Sequence, residues 1–151
     1  MDVLVINGPN LNMLGLRNPE IYGRLSLADV EAALHEQAAK LRVSIDMFQS
    51  NHEGAIIERI HMARREGVKY LIINAAGYTY TSVAIRDALE LAEVPFVEVH
   101  ISNVFAREHL RGHESLMAPL ASAVINGAGM QGYTLALSFI AEEIRGPEET
   151  E

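Results

Sequence analysis

The sequence predicts an α/β protein whose parallel sheet is covered by helices on both faces. Three observations carry this. Runs of strand length alternate with longer stretches of helical periodicity along the chain. The strand-length runs are continuously apolar, as in "VLVI" and "YLII", which suits strands buried on both faces. Neither an internal repeat nor a low-complexity linker divides the 151 residues, a length that one domain accommodates.

Taken in order, "DVLVI" reads as a buried strand. "SLADVEAALHEQAAKLR" is a helix, with Leu27, Val30, Leu34, Ala38 and Leu41 on one face and Ser26 as its N-cap. "VSIDMFQS" is the second strand. "HEGAIIERIHMARREG" is the second helix, turning Ile56, Ile57 and Ile60 inward and stopping at Gly67. "YLIIN", the helix "TSVAIRDALELAE" and the strand "PFVEVHIS" follow. "SAVIN" is the fifth strand, and "QGYTLALSFIAEEIR" is the closing helix. Five such strands suit a flavodoxin-like doubly wound sheet in the order 2-1-3-4-5. Residues 1–145 then form a single catalytic domain. Residues 146–151, "GPEETE", form a disordered acidic tail.

Composition excludes several function classes. The net charge of −8 argues against unspecific nucleic-acid binding, which clustered Lys and Arg drive. The absence of cysteine removes disulfide and thiolate chemistry. The longest apolar runs fall far short of a membrane span, and the start lacks the pattern of a signal peptide. A cytoplasmic location is the expectation.

Ligands of doubly wound sheets bind beyond the carboxyl ends of the strands. Those ends carry Asn7, Gln49 with Asn51, Asn74, the run His100, Ser102 and Asn103, and Asn126. Asparagine also favours turns, but five at one rim suit a neutral hydroxylated ligand, since an amide both donates and accepts. Arg17, Arg107 and Arg111 flank the same rim, and a guanidinium fork matches a carboxylate. Each alone could equally be a solvated surface arginine. Together with the amides they point to a hydroxylated carboxylic acid. In "VEVH", Glu98 and His100 are two apart on one strand, so both face the same side. A carboxylate there can hold the imidazole tautomer. Tyr22 lies in "NPEIYGRL", a polar, glycine-flanked segment that reads as a lid.

Other chemistries find little support. Lys40 ends a helix and Lys69 precedes a strand, so neither lysine is placed for an imine at the rim. "HLRGH" puts His109 and His113 four apart, with Glu108 and Glu114 beside them, but lacks the internal glutamate of HExxH and reads as a solvated stretch, and no glycine-rich phosphate motif follows the first strand.

The stretches "NGPNLNMLGLRNPEIYG", "QSNHEGAIIERIH", "YTSVAIRDAL", "VEVHISN", "RE" at 107–108 and "GAGMQGY" together resemble the type II 3-dehydroquinate dehydratases. They match in order from Asn7 to Tyr133. The resemblance implies cofactor-free loss of water from 3-dehydroquinate, giving 3-dehydroshikimate, in a homo-oligomer of four trimers. It serves either shikimate biosynthesis or quinate breakdown.

Carried over by motif, Tyr22 would be the base. An ordinary tyrosine has a pKa of about 10, so the tyrosinate needs nearby positive charge, from Arg17 and Arg107. Asn10 would help hold a water on the enolate oxygen, and His100, oriented by Glu98, would protonate the departing hydroxyl. Asn74, the backbone at Ile101 and Ser102, and Arg111 would bind hydroxyls and carboxylate. Asp87 would reach a neighbouring subunit's site.

Two stretches depart from the family's pattern. After the third strand the family carries Asn-Pro-Gly-Ala-Tyr-Thr-His-Thr-Ser, whereas this chain reads "NAAGYTYTS", with Tyr80 in place of a histidine that contacts substrate. "RGHESLMAPLA" is one residue longer than the corresponding run. Two alternatives are a catalytically silent relative that binds a hydroxylated carboxylic acid, and a generic binding domain for a phosphorylated ligand.

Overall fold

Five parallel strands run in the order β2-β1-β3-β4-β5, where β1 is Val3–Asn7, β2 Ile45–Gln49, β3 Tyr70–Asn74, β4 Phe96–His100 and β5 Ala123–Asn126. The computed structural model describes residues 1–16, 20, 25–106 and 114–147. The helices are α1 (Leu27–Leu41), α2 (Glu53–Arg65), the single turn α3 (Tyr78–Thr81), α4 (Val83–Ala92) and α5 (Gln131–Arg145).

β1, β3 and β4 are buried along their whole length, which is why β1 and β3 are apolar without alternation up to their terminal asparagines, while β4 buries Glu98 and His100 among its apolar residues. Alternate residues serve two separate cores. Leu4, Ile6, Leu71, Ile73 and Phe96 pack with Ile56 and Ile60 of α2 and with Ile85 and Leu89 of α4. Val3, Val5, Ile72, Val97 and Val99 pack with Val30 and Leu34 of α1 and with Leu137 and Ile140 of α5.

Local signals set the helix starts. The hydroxyl of Ser26 accepts from the Asp29 backbone N–H at 3.3 Å, and the Asp29 carboxylate accepts from the Ser26 N–H at 2.8 Å. This reciprocal cap satisfies donors that the first turn of α1 would otherwise strand, and the backbone bond holds the Asp29 carboxyl below the ordinary range. The predicted helix "TSVAIRDALELAE" instead breaks at Ser82. That residue is extended (φ −95°, ψ 92°) and caps α4 by accepting from Ile85 N–H at 3.0 Å. The residues before it wind into α3. Serine is a better N-cap than helix interior, because its hydroxyl competes for backbone donors.

The motif "NGPN" has a steric cause. A side chain at Gly8 would place its Cβ 2.5 Å from the Ala75 carbonyl oxygen. The Gly8 N–H also donates to the Asn74 carbonyl at 2.8 Å. The loop leaving β1 therefore lies directly against the loop leaving β3.

Candidate active site

At the carboxyl rim, register pairs Asn7 with Gln49 on one side and with Asn74 on the other, while His100 pairs with Asn126. The amides do not all face outward. Asn7 is fully buried, and its Oδ1 accepts from the Tyr133 hydroxyl at 2.6 Å. Asn74 Nδ2 donates to that same hydroxyl at 3.0 Å, and its Oδ1 accepts from Ala76 N–H at 3.2 Å. Burial pushes the Tyr133 phenol above the ordinary tyrosine range, so it remains a neutral post between two strand ends. Asn126 accepts from Val104 N–H at 3.1 Å and donates to Asn103 Oδ1 at 3.0 Å, clipping the loop after β4 to β5. Asn51 Oδ1 receives the Asn10 backbone N–H at 2.9 Å and Gln49 Nε2 at 3.1 Å.

The expectation that rim amides mainly serve a ligand is corrected accordingly. Asn51 and Asn126 brace loops by accepting backbone N–H groups, and Asn7 is buried against the Tyr133 hydroxyl of α5. Asn10 differs. Its side chain is exposed and its backbone is left-handed (φ 69°), a conformation asparagine tolerates.

Glu98 and His100 do share a face, as their spacing requires. Both are buried, and His100 Nε2 lies 2.8 Å from Glu98 Oε2. A carboxylate partner places the proton on Nε2 and leaves Nδ1 to exchange a proton with a bound molecule. The other carboxylate oxygen accepts from the hydroxyl of Ser115 at 2.5 Å. Sequence reasoning missed Ser115, which lies in the lengthened stretch "RGHESLMAPLA". No periodicity marks a loop serine that reaches back to a strand.

Tyr80 sits on α3 with its ring centroid 6.4 Å from that of His100 and the planes 24° apart. The family's histidine position thus lies beside the candidate acid. Leu116 N–H donates to the Thr79 carbonyl at 3.0 Å, tying α3 to the Ser115 segment. Ile101 and Ser102 follow directly on β4, half-buried. Asp87 is exposed on α4, where its only ion pair among the described residues is to adjacent Arg86 at 3.8 Å. Tyr22, Arg17, Arg107 and Arg111 lie outside the described residues. Both lysines are at the opposite rim, where Lys69 pairs with Asp2 at 3.1 Å and Lys40 with Glu36 at 3.3 Å. No three His, Asp or Glu side chains among the described residues gather as a metal site. No helix among them is long and apolar enough to cross a membrane.

The altered loop after β3 carries a strain of its own. Ala76 is left-handed (φ 52°) where the family's pattern has glycine. Gly77 is right-handed (φ −61°, ψ −27°), with open space where a Cβ would stand. Ala76→Gly is therefore expected to stabilise the protein by about 0.5–1 kcal/mol, since a Cβ is disfavoured at positive φ. Gly77→Ala should add a similar amount by restricting the unfolded chain. Urea unfolding at fixed protomer concentration checks both; an unchanged or lower midpoint for Ala76→Gly refutes the strain.

The model of the family "Dehydroquinase class II" matches residues 1–141. The chain is 54% identical over 144 residues to 3-dehydroquinate dehydratase 1 of Ralstonia nicotianae, covering 95% of this chain and 92% of that one. It is 52% identical to the 3-dehydroquinate dehydratase of Acinetobacter baumannii over 143 residues, covering 95% and 94% of the two. Among solved structures, the type II dehydroquinase of Butyrivibrio crossotus superposes with a TM-score of 0.89 at 41% identity, over 94% of this chain and 98% of that one. A 3-dehydroquinate dehydratase-like protein from Bifidobacterium longum gives 0.72 at 27% identity, over 97% of this chain and 100% of that one.

Proposed function

This chain belongs to the class II dehydroquinases, and from that we propose that it is a hydro-lyase converting 3-dehydroquinate to 3-dehydroshikimate through an enolate. The observation that carries the reading is the buried His100–Glu98 pair at the carboxyl end of β4. It supplies what the elimination needs in its second half: the carboxylate holds the Nε2–H and favours the imidazolium, leaving Nδ1–H as the proton to give.

In this mechanism Tyr22, as tyrosinate, takes the proton beside the ketone, and the electron pair moves onto the carbonyl oxygen as an enolate. Arg17 and Arg107 supply the positive charge that favours the tyrosinate. Asn10 helps hold water on the enolate oxygen, lowering the cost of the charge that develops there. His100, as imidazolium, gives a proton to the departing hydroxyl. The C–O bond breaks, the enolate electrons form the new C=C bond, and water leaves. Asn74, the backbone at Ile101 and Ser102, and Arg111 hold the hydroxyls and the carboxylate, and Tyr80 takes the place of the family's substrate-binding histidine. Incubating the purified protein with 3-dehydroquinate tests the reading directly. A rise in enone absorbance in the ultraviolet is expected, and binding without that rise would instead mark a silent relative.

The proposal includes a cytoplasmic homo-oligomer, a dodecamer built from four trimers. The exposed Asp87, flanked on α4 by exposed Val83 and Leu91 one helical turn away on each side, supports a subunit contact there. Light scattering at micromolar protomer concentration should find twelve subunits; a monomer overturns this part.

A further inference from the structure

The Ser115 hydroxyl is fully committed. It accepts from the backbone N–H groups of Met117 and Ala118, both at 3.1 Å. Its oxygen has two lone pairs and its single proton goes to Glu98 Oε1 at 2.5 Å. The direction of that last bond cannot reverse while both amides donate. Glu98 Oε1 is thus kept as an acceptor, and Oε2 is left to receive the proton on His100 Nε2 at 2.8 Å.

We propose that Ser115 is a positioning residue for the elimination: by donating to Glu98 it holds the carboxylate square to His100 and fixes the proton of His100 on Nε2. The inference rests on the hydro-lyase reading for its kinetic arm, and not for its spectroscopic one. Two features make the hydroxyl more than a turn cap. Glu98 is buried, so an oxygen that loses this donor has no water to replace it. The segment carrying Ser115 is also anchored through Leu116 N–H to Thr79, next to the Tyr80 ring beside His100. Carboxylate, imidazole and phenol are thereby referred to one loop.

Ser115→Ala removes the proton and Ser115→Thr retains it. In Ser115→Ala, turnover number should fall by about tenfold or more, the range typical of partners that orient a reacting group. The Michaelis constant should stay within about twofold, because substrate contacts are untouched. Ser115→Thr should recover most of the loss. Nitrogen-15 spectra of the His100 ring in its neutral form, reached by raising the pH and assigned by comparison with His100→Ala, should show the Nε2–H tautomer in wild type and Ser115→Thr. Ser115→Ala should show a mixture of tautomers. Retention of more than about half of wild-type turnover in Ser115→Ala, or a Thr variant as slow as the Ala variant, overturns the proposal. So does a ring spectrum unchanged by Ser115→Ala, and that arm decides the matter even if wild type proves inactive on 3-dehydroquinate, which would sink the hydro-lyase reading alone.

Discussion

Tyr22→Phe is expected to lower turnover about a hundred- to ten-thousand-fold, the usual contribution of a general base, while substrate still binds. Phenylalanine keeps the ring and its bulk but can neither hold nor release the proton. Turnover number and turnover over Michaelis constant should fall together, the signature of an interaction made only in the transition state. Steady-state kinetics with calorimetric binding measures both. A variant keeping more than about a tenth of wild-type turnover would show that the base is another group.

His100→Ala should lose turnover by a comparable factor for a different reason. Enolate formation needs only the base, so solvent deuterium should still exchange into the position beside the ketone. The same exchange should be absent from Tyr22→Phe. The local structure should survive the change, because Glu98 keeps its bond from Ser115, and circular dichroism reports that. Exchange in both variants, or in neither, would rule out the assigned division of labour. The contrast separates base from acid, which a simple loss of activity in each would not.

The period of the chain was enough to read β1, β3, β4 and α5, because continuous apolar runs and a 3.6-residue stripe are local signals. It was also enough for Glu98 and His100, since residues two apart on a strand must share a face. Asn7 shows where such reading stops. An amide at a strand end is chemically suited both to a ligand and to a neighbouring side chain. Only the arrival of Tyr133 on another element decides between them. Ser115 and the break at Ser82 fail in the same way: one hydroxyl can cap, bridge or face solvent, and its choice depends on partners distant in the chain. Tyr22, Arg17, Arg107 and Arg111 enter through motif resemblance and lie outside the described residues.

The bond between Tyr133 and Asn7 spans 126 positions, and this bears on how the protein is made. A ribosome releases β1 first and α5 last. Until α5 is complete, Asn7 has no phenol to meet, and Val3 and Val5 lack the cover of Leu137 and Ile140. A nascent chain thus carries an inner strand whose Val3–Val5 side is covered by α1 but not yet by α5. Such surfaces attract other chains, so the last fifteen-residue helix doubles as the element that ends this exposure. A chain interrupted before Tyr133 would leave the side chains of Asn7 and Asn74 without the hydroxyl they share rather than merely shorten the protein.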